Sequence, residues 1–492
     1  VGTLSMDANT SGKNNVAVGH DALGANTTAD GNTAVGKDAL LNNTTGTVNT
    51  AIGRSALANN TTADNNTAVG REALFTNTTG ANLTAVGNAS LYNNTTANNN
   101  TALGYQALFA NTTGYDNVAV GRLSLDANTT GYSNVSVGES SLTSNTTGYR
   151  NTAVGVSALL ACTTGTENTA VGQLAADAIT TGGANTAVGQ NALSGCQTGS
   201  SNVAIGVNAL LATTISQIVA VGGNALRSHT TGLYNTAVGY NALRDVSDGQ
   251  YNTAIGYQAG YECTGSGNVF VGLNAGRDQT TAGNNTLIGW DAGLNIETGG
   301  SNVVIGRGAA IVATSMDTSV IIGDDAGSSI TSAGNNTIVG RSAGDDLTTG
   351  GQNVIIGKLN DAGASGAVGR VVLGYAATGA TNNSITVGYG STDSALVFGN
   401  TAWYTPSDER LKEDIQDEKV GLDFINDLRP VTFRWKKAKD VSQELNCYED
   451  SEERVMNGKY NHGFIAQEVK EVIDNHDLKE GFGMWMEDDA DG

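Results

Sequence analysis

Proline, cysteine, positive charge and long apolar runs are all scarce in this sequence. Its 492 residues include two prolines, Pro406 and Pro430, where average usage would give roughly 25. Glycine-rich disordered chains usually carry proline, so we predict an ordered chain. Four cysteines do not make a disulfide scaffold. The 25 basic and 47 acidic residues give a net charge of −22, which argues against a nucleic-acid partner. No apolar run approaches the roughly 18 residues of a membrane-spanning helix.

A glycine recurs with a fixed spacing from Gly2 to Gly388. Every step is 17 residues as far as Gly206, and the later steps are also 17 except for two of 16 and a last one of 14. This glycine ends the motif Asn-x-Ala-Val-Gly, and we number positions in the repeat from it. A typical unit, residues 151–167, holds two short β-prone pieces separated by turn-forming residues.

A 17-residue unit is too small to be a domain, so it predicts one turn of a solenoid. Each turn buries its apolar face against the turns above and below, at a spacing of about 4.8 Å. Proline would interrupt this ladder, which gives its scarcity a physical reason. We therefore predict a mostly β, parallel β-roll or β-helix shaft over residues 1–399. It would be roughly 110 Å long if each repeat adds one strand spacing.

The strand of each repeat has apolar or small residues on both faces. Position −2 is mostly Ala, whereas positions −1 and −3 are mostly Val/Ile and Thr/Val. A strand that is buried on both sides has this composition. We predict that one face fills the inside of the turn and that the other meets a partner chain along the axis. Ala is small enough to let such chains approach closely.

Position +7 is Asn in nine successive repeats and later becomes Cys, Ile or Leu, which indicates a buried column. We predict a stacked amide ladder in which each side chain bonds the next turn. The cysteines in this column, Cys162, Cys196 and Cys263, are then buried apolar side chains. Two turns separate Cys162 from Cys196, which is too far for a disulfide. The predicted ladder comprises Asn9, Asn26, Asn43, Asn60, Asn77, Asn94, Asn111, Asn128 and Asn145.

Position +4 is mostly Leu as far as Leu243 and mostly Gly from Gly260 onward. Position −2 gains bulk in the same region, first at Phe270. Side-chain volume has therefore moved from one side of the turn's cross-section to the other. This predicts that the repeat changes to a second subtype near residue 250.

These repeats resemble the head repeats of trimeric bacterial adhesins of the YadA type, which have Asn-x-Val-Ala-Ile-Gly strands. The resemblance covers roughly residues 1–390, although the unit here is longer than the usual one. It implies a left-handed parallel β-roll with three chains to a rod, and it implies no catalysis.

The composition changes near residue 400. Residues 1–400 hold 37 charged residues and 60 glycines, whereas residues 401–492 hold 35 and 6. We predict a junction over 400–406 and a small α/β domain over 407–492. Helical spacing appears around Phe424 and over residues 465–473, and residues 431–435 alternate like a strand.

Three segments of this domain, residues 407–415, 428–436 and 463–469, resemble the intramolecular chaperone of phage endosialidases and tail fibres, peptidase family S74. The resemblance implies a trimeric chaperone that assists fibre assembly and releases itself by cutting between Pro406 and Ser407. Ser407 would be the nucleophile and Lys412 its base. A second interpretation stays open, in which Ser407 caps a helix and Lys412 pairs with Asp408.

No other motif indicates chemistry. The sequence predicts no cofactor and no metal site, and the pair Asp345–Asp346 is interpreted as a solvated turn. Tyr115, Tyr132 and Tyr149 form either a packing ladder or a surface stripe that contacts a glycan.

Together these features predict a homotrimeric viral fibre, of a bacteriophage tail or appendage, located on the virion. It would join other virion proteins through its N-terminal side and bind a host receptor, a glycan or an outer-membrane component. The alternative is a bacterial trimeric surface adhesin or extracellular filament. An enzyme acting on an external glycan has no room in the unbroken repeat.

Overall fold

The computed structural model describes residues 1–390, 392–398, 421–441, 451–452 and 459–476. The chain divides into two units, residues 1–406 and 407–492. Each unit is described by itself.

The first unit is a parallel β-solenoid built around one 24-stranded sheet. Each turn contributes a short strand that pairs in register with the strand one repeat later, so that Ala17 faces Ala34 and Ala34 faces Ala51. The predicted solenoid of 17-residue repeats is confirmed. The last strand runs antiparallel to its neighbour and ends the parallel ladder.

Most strands are three residues long, and they are numbered in chain order. They are β1 Val16–Val18, β2 Thr33–Val35, β3 Thr50–Ile52, β4 Thr67–Val69, β5 Thr84–Val86, β6 Thr101–Leu103, β7 Val118–Val120, β8 Val135–Val137, β9 Thr152–Val154, β10 Thr169–Val171, β11 Thr186–Val188, β12 Val203–Ile205, β13 Val219–Val221, β14 Thr236–Val238, β15 Thr253–Ile255, β16 Val269–Val271, β17 Thr286–Ile288, β18 Val303–Ile305, β19 Ser315–Asp317, β20 Val320–Ile322, β21 Ser332–Gly334, β22 Thr337–Val339, β23 Val354–Ile356, β24 Val371–Tyr375, β25 Ser384–Tyr389 and β26 Ser394–Val397. Strands β19 and β21 form a separate two-stranded sheet.

The second β-prone piece of the typical unit, residues 151–167, is not a strand. Residues 155–161, after β9, form a run of turns in which Ser157 and Leu159 have φ values of 57° and 51°. Left-handed residues at these positions recur from turn to turn. They bend the chain sharply enough to close a circuit of 17 residues, and this requirement overrides the local preference for extended backbone.

The glycine that paces the repeat is required by the stacking. Gly19 has a φ of 140°, and a Cβ built on it would lie 2.4 Å from the carbonyl oxygen of Gly36 in the next turn. No side chain fits that gap, so any other residue would force adjacent turns apart.

The prediction that Ala at position −2 faces a partner chain is wrong. Ala153 is fully buried inside its own turn, whereas Thr152 and Val154 on either side of it are partly exposed. The reason is space, because the buried Leu of position +4 fills the same narrow interior and leaves room for only a methyl group. The apolar face that is available to a partner therefore carries the Thr/Val and Val/Ile positions.

The bulk at position −2 and the glycines at position +4 complement each other. A Cβ at Gly260 would lie 2.6 Å from the Phe270 ring, and one at Gly276 would lie 2.4 Å from it. The ring thus occupies space that the Leu side chains fill in the earlier turns.

The second unit has helices and a small antiparallel sheet among its described residues. Helix α1 covers Leu422–Asp427 and buries Phe424, and helix α2 covers Ala466–Asn475 and buries Ile473. Strands β27, Val431–Phe433, and β28, Asn461–Gly463, pair with each other. A 3₁₀ turn covers Ala438–Asp440. Across the described ranges, no helix has the length and apolar character needed to cross a membrane.

Candidate functional site

The Asn side chains of position +7 lie in one buried column and bond from turn to turn. The Nδ2 of Asn94 donates to the Oδ1 of Asn77 at 2.9 Å and to the carbonyl of Ala97 at 3.1 Å. Its own Oδ1 accepts from Asn111 Nδ2 at 3.0 Å. The same arrangement joins every pair from Asn9 to Asn145, with Nδ2–Oδ1 distances of 2.8–3.2 Å. A buried amide is thereby satisfied without water.

The amide column ends where Asn gives way to Cys. Asn145 Oδ1 is buried and has no hydrogen-bond partner. The next turn has Cys162 in place of an Asn donor, and the Cys162 thiol lies 3.8 Å from the carbonyl of Gly165 instead. Burial raises the pKa of Cys162 to about 11 and that of Cys263 to about 12. Both thiols are therefore neutral at pH 7. Cys162, Cys196 and Cys263 are free and buried, as packing residues would be.

His229 occupies the same column and is fully buried. The Nδ2 of Asn235 lies 3.0 Å from its Nε2, which must then be the acceptor. The proton is left on Nδ1, which faces Thr213 Oγ1 at 3.4 Å. Burial lowers the pKa of His229 to about 4, so the ring is neutral at pH 7. It takes the place of an Asn side chain in the column and accepts a hydrogen bond there.

A second and longer amide ladder was missed by the sequence argument. At position −4, Asn32 Oδ1 accepts the backbone N–H of Asn49 at 2.9 Å, while Asn49 Nδ2 donates to the carbonyl of Ala63 at 2.8 Å. The same position carries Asn in most turns as far as Asn353. The signal was present, because this Asn opens the repeat motif. Its place just before the strand suggested a turn residue instead.

The outward strand face is a continuous, partly apolar stripe. Val16 and Val18 are 48% and 41% exposed, and Ile255, fourteen turns further along the shaft, is 44% exposed. Ion pairs follow the edge of this stripe in several turns. They include Arg122 with Glu139 and Arg150 with Glu167, which connect successive repeats.

The tyrosines of position +11 are stacked. The rings of Tyr115 and Tyr132 are 5.1 Å apart, those of Tyr132 and Tyr149 are 4.8 Å apart, and both pairs are nearly parallel. Each inner ring face is covered by its neighbour, and the Arg150 guanidinium lies 5.8 Å from the Tyr149 ring centroid. This geometry favours the packing-ladder interpretation over a platform for sugar rings.

Asp346, one of the acidic pair Asp345–Asp346, stabilises a turn by accepting backbone hydrogen bonds. Asp346 accepts the backbone N–H groups of Ala362 and Gly363 at 2.9 and 2.7 Å. Burial, together with the neighbouring carboxyl of Asp345, raises the pKa of Asp361 to about 7.

One group of potential metal-ligating side chains was found in the described residues, at His20, Asp21 and Asp38. His20 Nδ1 lies 2.8 Å from Asp21 Oδ2, and Lys37 Nζ lies 3.4 Å from Asp38 Oδ2. The contact between His20 and Asp21 and the ion pair between Lys37 and Asp38 account for this arrangement.

The predicted catalytic residues Ser407 and Lys412 and the predicted cut after Pro406 lie outside the described residues. The described part of the second unit joins its elements by polar contacts. Arg429, just after α1, pairs with Glu468 of α2 and lowers the pKa of that carboxyl. His476 Nε2, at the end of α2, lies 2.8 Å from Asp427 Oδ2, while its ring packs against the Phe424 ring in a T-shaped arrangement.

These contacts lie within a segment that has a recognised counterpart. Residues 407–478 match the family model of the chaperone of endosialidase, peptidase family S74. This match covers all three segments that the sequence argument singled out. The chain matches no curated protein and no solved structure.

Proposed function

We propose that this chain is the structural protein of a viral fibre, of a bacteriophage tail or appendage, that serves in host attachment. The observation that carries the proposal is the order of its parts. A solenoid of 17-residue repeats is followed directly by a segment that matches the chaperone of endosialidase. A solenoid with an unbroken repeat suits the shaft of a fibre, and a chaperone after it in the chain suits assembly of that shaft.

The fibre would be a homotrimer with three shafts side by side. The outward Val/Ile and Thr/Val columns give each shaft an apolar face along its length. Because identical turns repeat this face at a constant spacing, three copies related by rotation could bury it continuously. The resemblance to trimeric adhesin heads and the chaperone match both support this number of copies.

The chaperone would leave the fibre by autoproteolysis. Ser407 Oγ would attack the carbonyl of Pro406 while Lys412 takes the hydroxyl proton, which requires a lowered lysine pKa. The C–N bond breaks, the released amine of Ser407 is protonated, and water hydrolyses the resulting ester. The products are residues 1–406 and a chaperone that begins at Ser407.

Intact-mass measurement of the purified protein tests the cut. The wild type should yield two fragments that meet at Pro406–Ser407, and Ser407→Ala should stay whole. Ser442→Ala is the matched control, since it removes another hydroxyl of the same unit, and it should be cut like the wild type. A wild type that assembles normally and stays uncut would exclude autoproteolysis while leaving the fibre proposal standing.

A further inference from the structure

Charge is missing from the outward side of the shaft over one long run of turns. In each turn this side runs from position −5 through the strand to position +1. Seven consecutive turns carry no charged residue there, and they lie between residues 184 and 290. The turns on either side carry Glu167 and Arg307 within the same strip. We call residues 184–290 of this strip the uncharged band.

Aromatic side chains are concentrated at both edges of this band. Tyr234 stacks on Tyr251 at position −5, with ring centroids 5.3 Å apart, and Tyr240 stacks on Tyr257 at position +1, 5.7 Å apart. All four rings are about half exposed, and Trp290 is 56% exposed at the C-terminal end of the band. The band thus combines an absence of charge with exposed aromatic rings.

We propose that the uncharged band is the energetic centre of the contact between copies of this chain. The inference rests on the proposed trimer and states where its stability lies. Cores of protein interfaces are depleted in charge and enriched in Tyr and Trp, and a polar rim surrounds them. The band has this composition, and charged turns border it on both sides.

The chemistry of the uncharged band favours a second copy of this chain as its binding partner. Rotational symmetry places equivalent turns of each copy at the same level along the axis. The uncharged band of one copy therefore contacts the uncharged band of the next, and charged turns contact charged turns. A charged ligand finds no partner here, because the band has no charged side chain. A sugar ring stacks on an open aromatic face, and each tyrosine pair has already used one of the two faces of each ring.

The exposed area is sufficient for this role. Half-exposed Tyr and Trp rings offer roughly 100 Å² each, since a full side chain buries about 150–250 Å². The five rings of the band thus supply about 500 Å² of the roughly 800 Å² that one partner contributes to a stable interface. The exposed Val238 and Ile255 of the strand face extend the same surface.

Chemical footprinting of the assembled wild-type protein tests the proposal directly. Nitration with tetranitromethane, followed by peptide mass spectrometry, should modify Tyr240 and Tyr257 at least tenfold more slowly than Tyr115. These three side chains are similarly exposed in the single chain, at 51%, 49% and 45%. Equal rates in a protein that sediments as a trimer would overturn the inference and leave the trimer intact. A monomer in solution would instead refute the proposed assembly itself.

Paired variants supply the energetic test. Tyr240→Ser with Tyr257→Ser should raise the concentration at which the shaft dissociates by about 100-fold, because interface tyrosines often cost tenfold or more each when truncated. Tyr132→Ser with Tyr149→Ser removes a similarly stacked pair outside the strip and should leave this concentration within about threefold. Circular dichroism verifies that both variants keep the solenoid. Equal effects of the two pairs would contradict the proposal.

Discussion

A buried amide stabilises a fold only when each of its polar atoms has a partner. Asn94 meets this condition through bonds to Asn77, Ala97 and Asn111. The sequence was sufficient to predict this column because Asn occupies it in nine successive repeats and Cys, Ile or Leu replaces it in later ones, a choice that an exposed position would not favour. It did not reveal the hydrogen bond from Asn94 Nδ2 to the carbonyl of Ala97, nor the second ladder at position −4, because both depend on the path of the backbone through the turn.

The unpaired end of the ladder gives a prediction at the residue scale. Cys162→Asn should place an amide donor against Asn145 Oδ1, which is buried without a partner. We expect local stabilisation by about 1 kcal/mol, measured as slower amide hydrogen exchange over residues 145–168. Cys263→Asn is the control, since the preceding turn offers Val246 in place of an amide. A gain of the same size in that control would contradict the ladder explanation.

The single turn is the element on which the fold depends. Three-residue strands are too short to persist alone, and they are held by in-register neighbours on both sides. The period and the parallel stacking followed from the glycine spacing. The inward face did not, because both faces of the strand are small or apolar, so alternation does not distinguish them. Strands β19 and β21 also pair at a 17-residue offset, Ser315 with Ser332, although they lie outside the Asn-x-Ala-Val-Gly motif.

The volume exchange between Phe270 and its glycine neighbours gives a prediction at the element scale. Phe270→Ala should destabilise the shaft by about 3–5 kcal/mol through the cavity that it leaves. Adding Gly276→Leu should recover part of this loss, because Leu243 already adopts a similar φ of 48° in the same column. Denaturant unfolding of both single variants and the double variant measures the coupling. Purely additive losses would show that the two positions do not share one space.

At the scale of the whole molecule, two kinds of sequence make up the chain. The shaft repeats one turn with sparse charge, whereas the C-terminal unit concentrates charged residues into contacts such as Arg429 with Glu468. Composition predicts a boundary near residue 400, since glycine nearly vanishes beyond it, and the chain divides into units of residues 1–406 and 407–492. The number of chains was not visible in composition, because that number depends on surfaces that meet only in the assembly.

The central claim is that three copies of this chain form one rod through their outward strand faces. Sedimentation equilibrium of the full-length Ser407→Ala protein tests it most directly, since that variant should keep shaft and chaperone together. The account predicts a single species with three times the mass of the chain, unchanged on moderate dilution. A stable, folded species with the mass of one chain would contradict it.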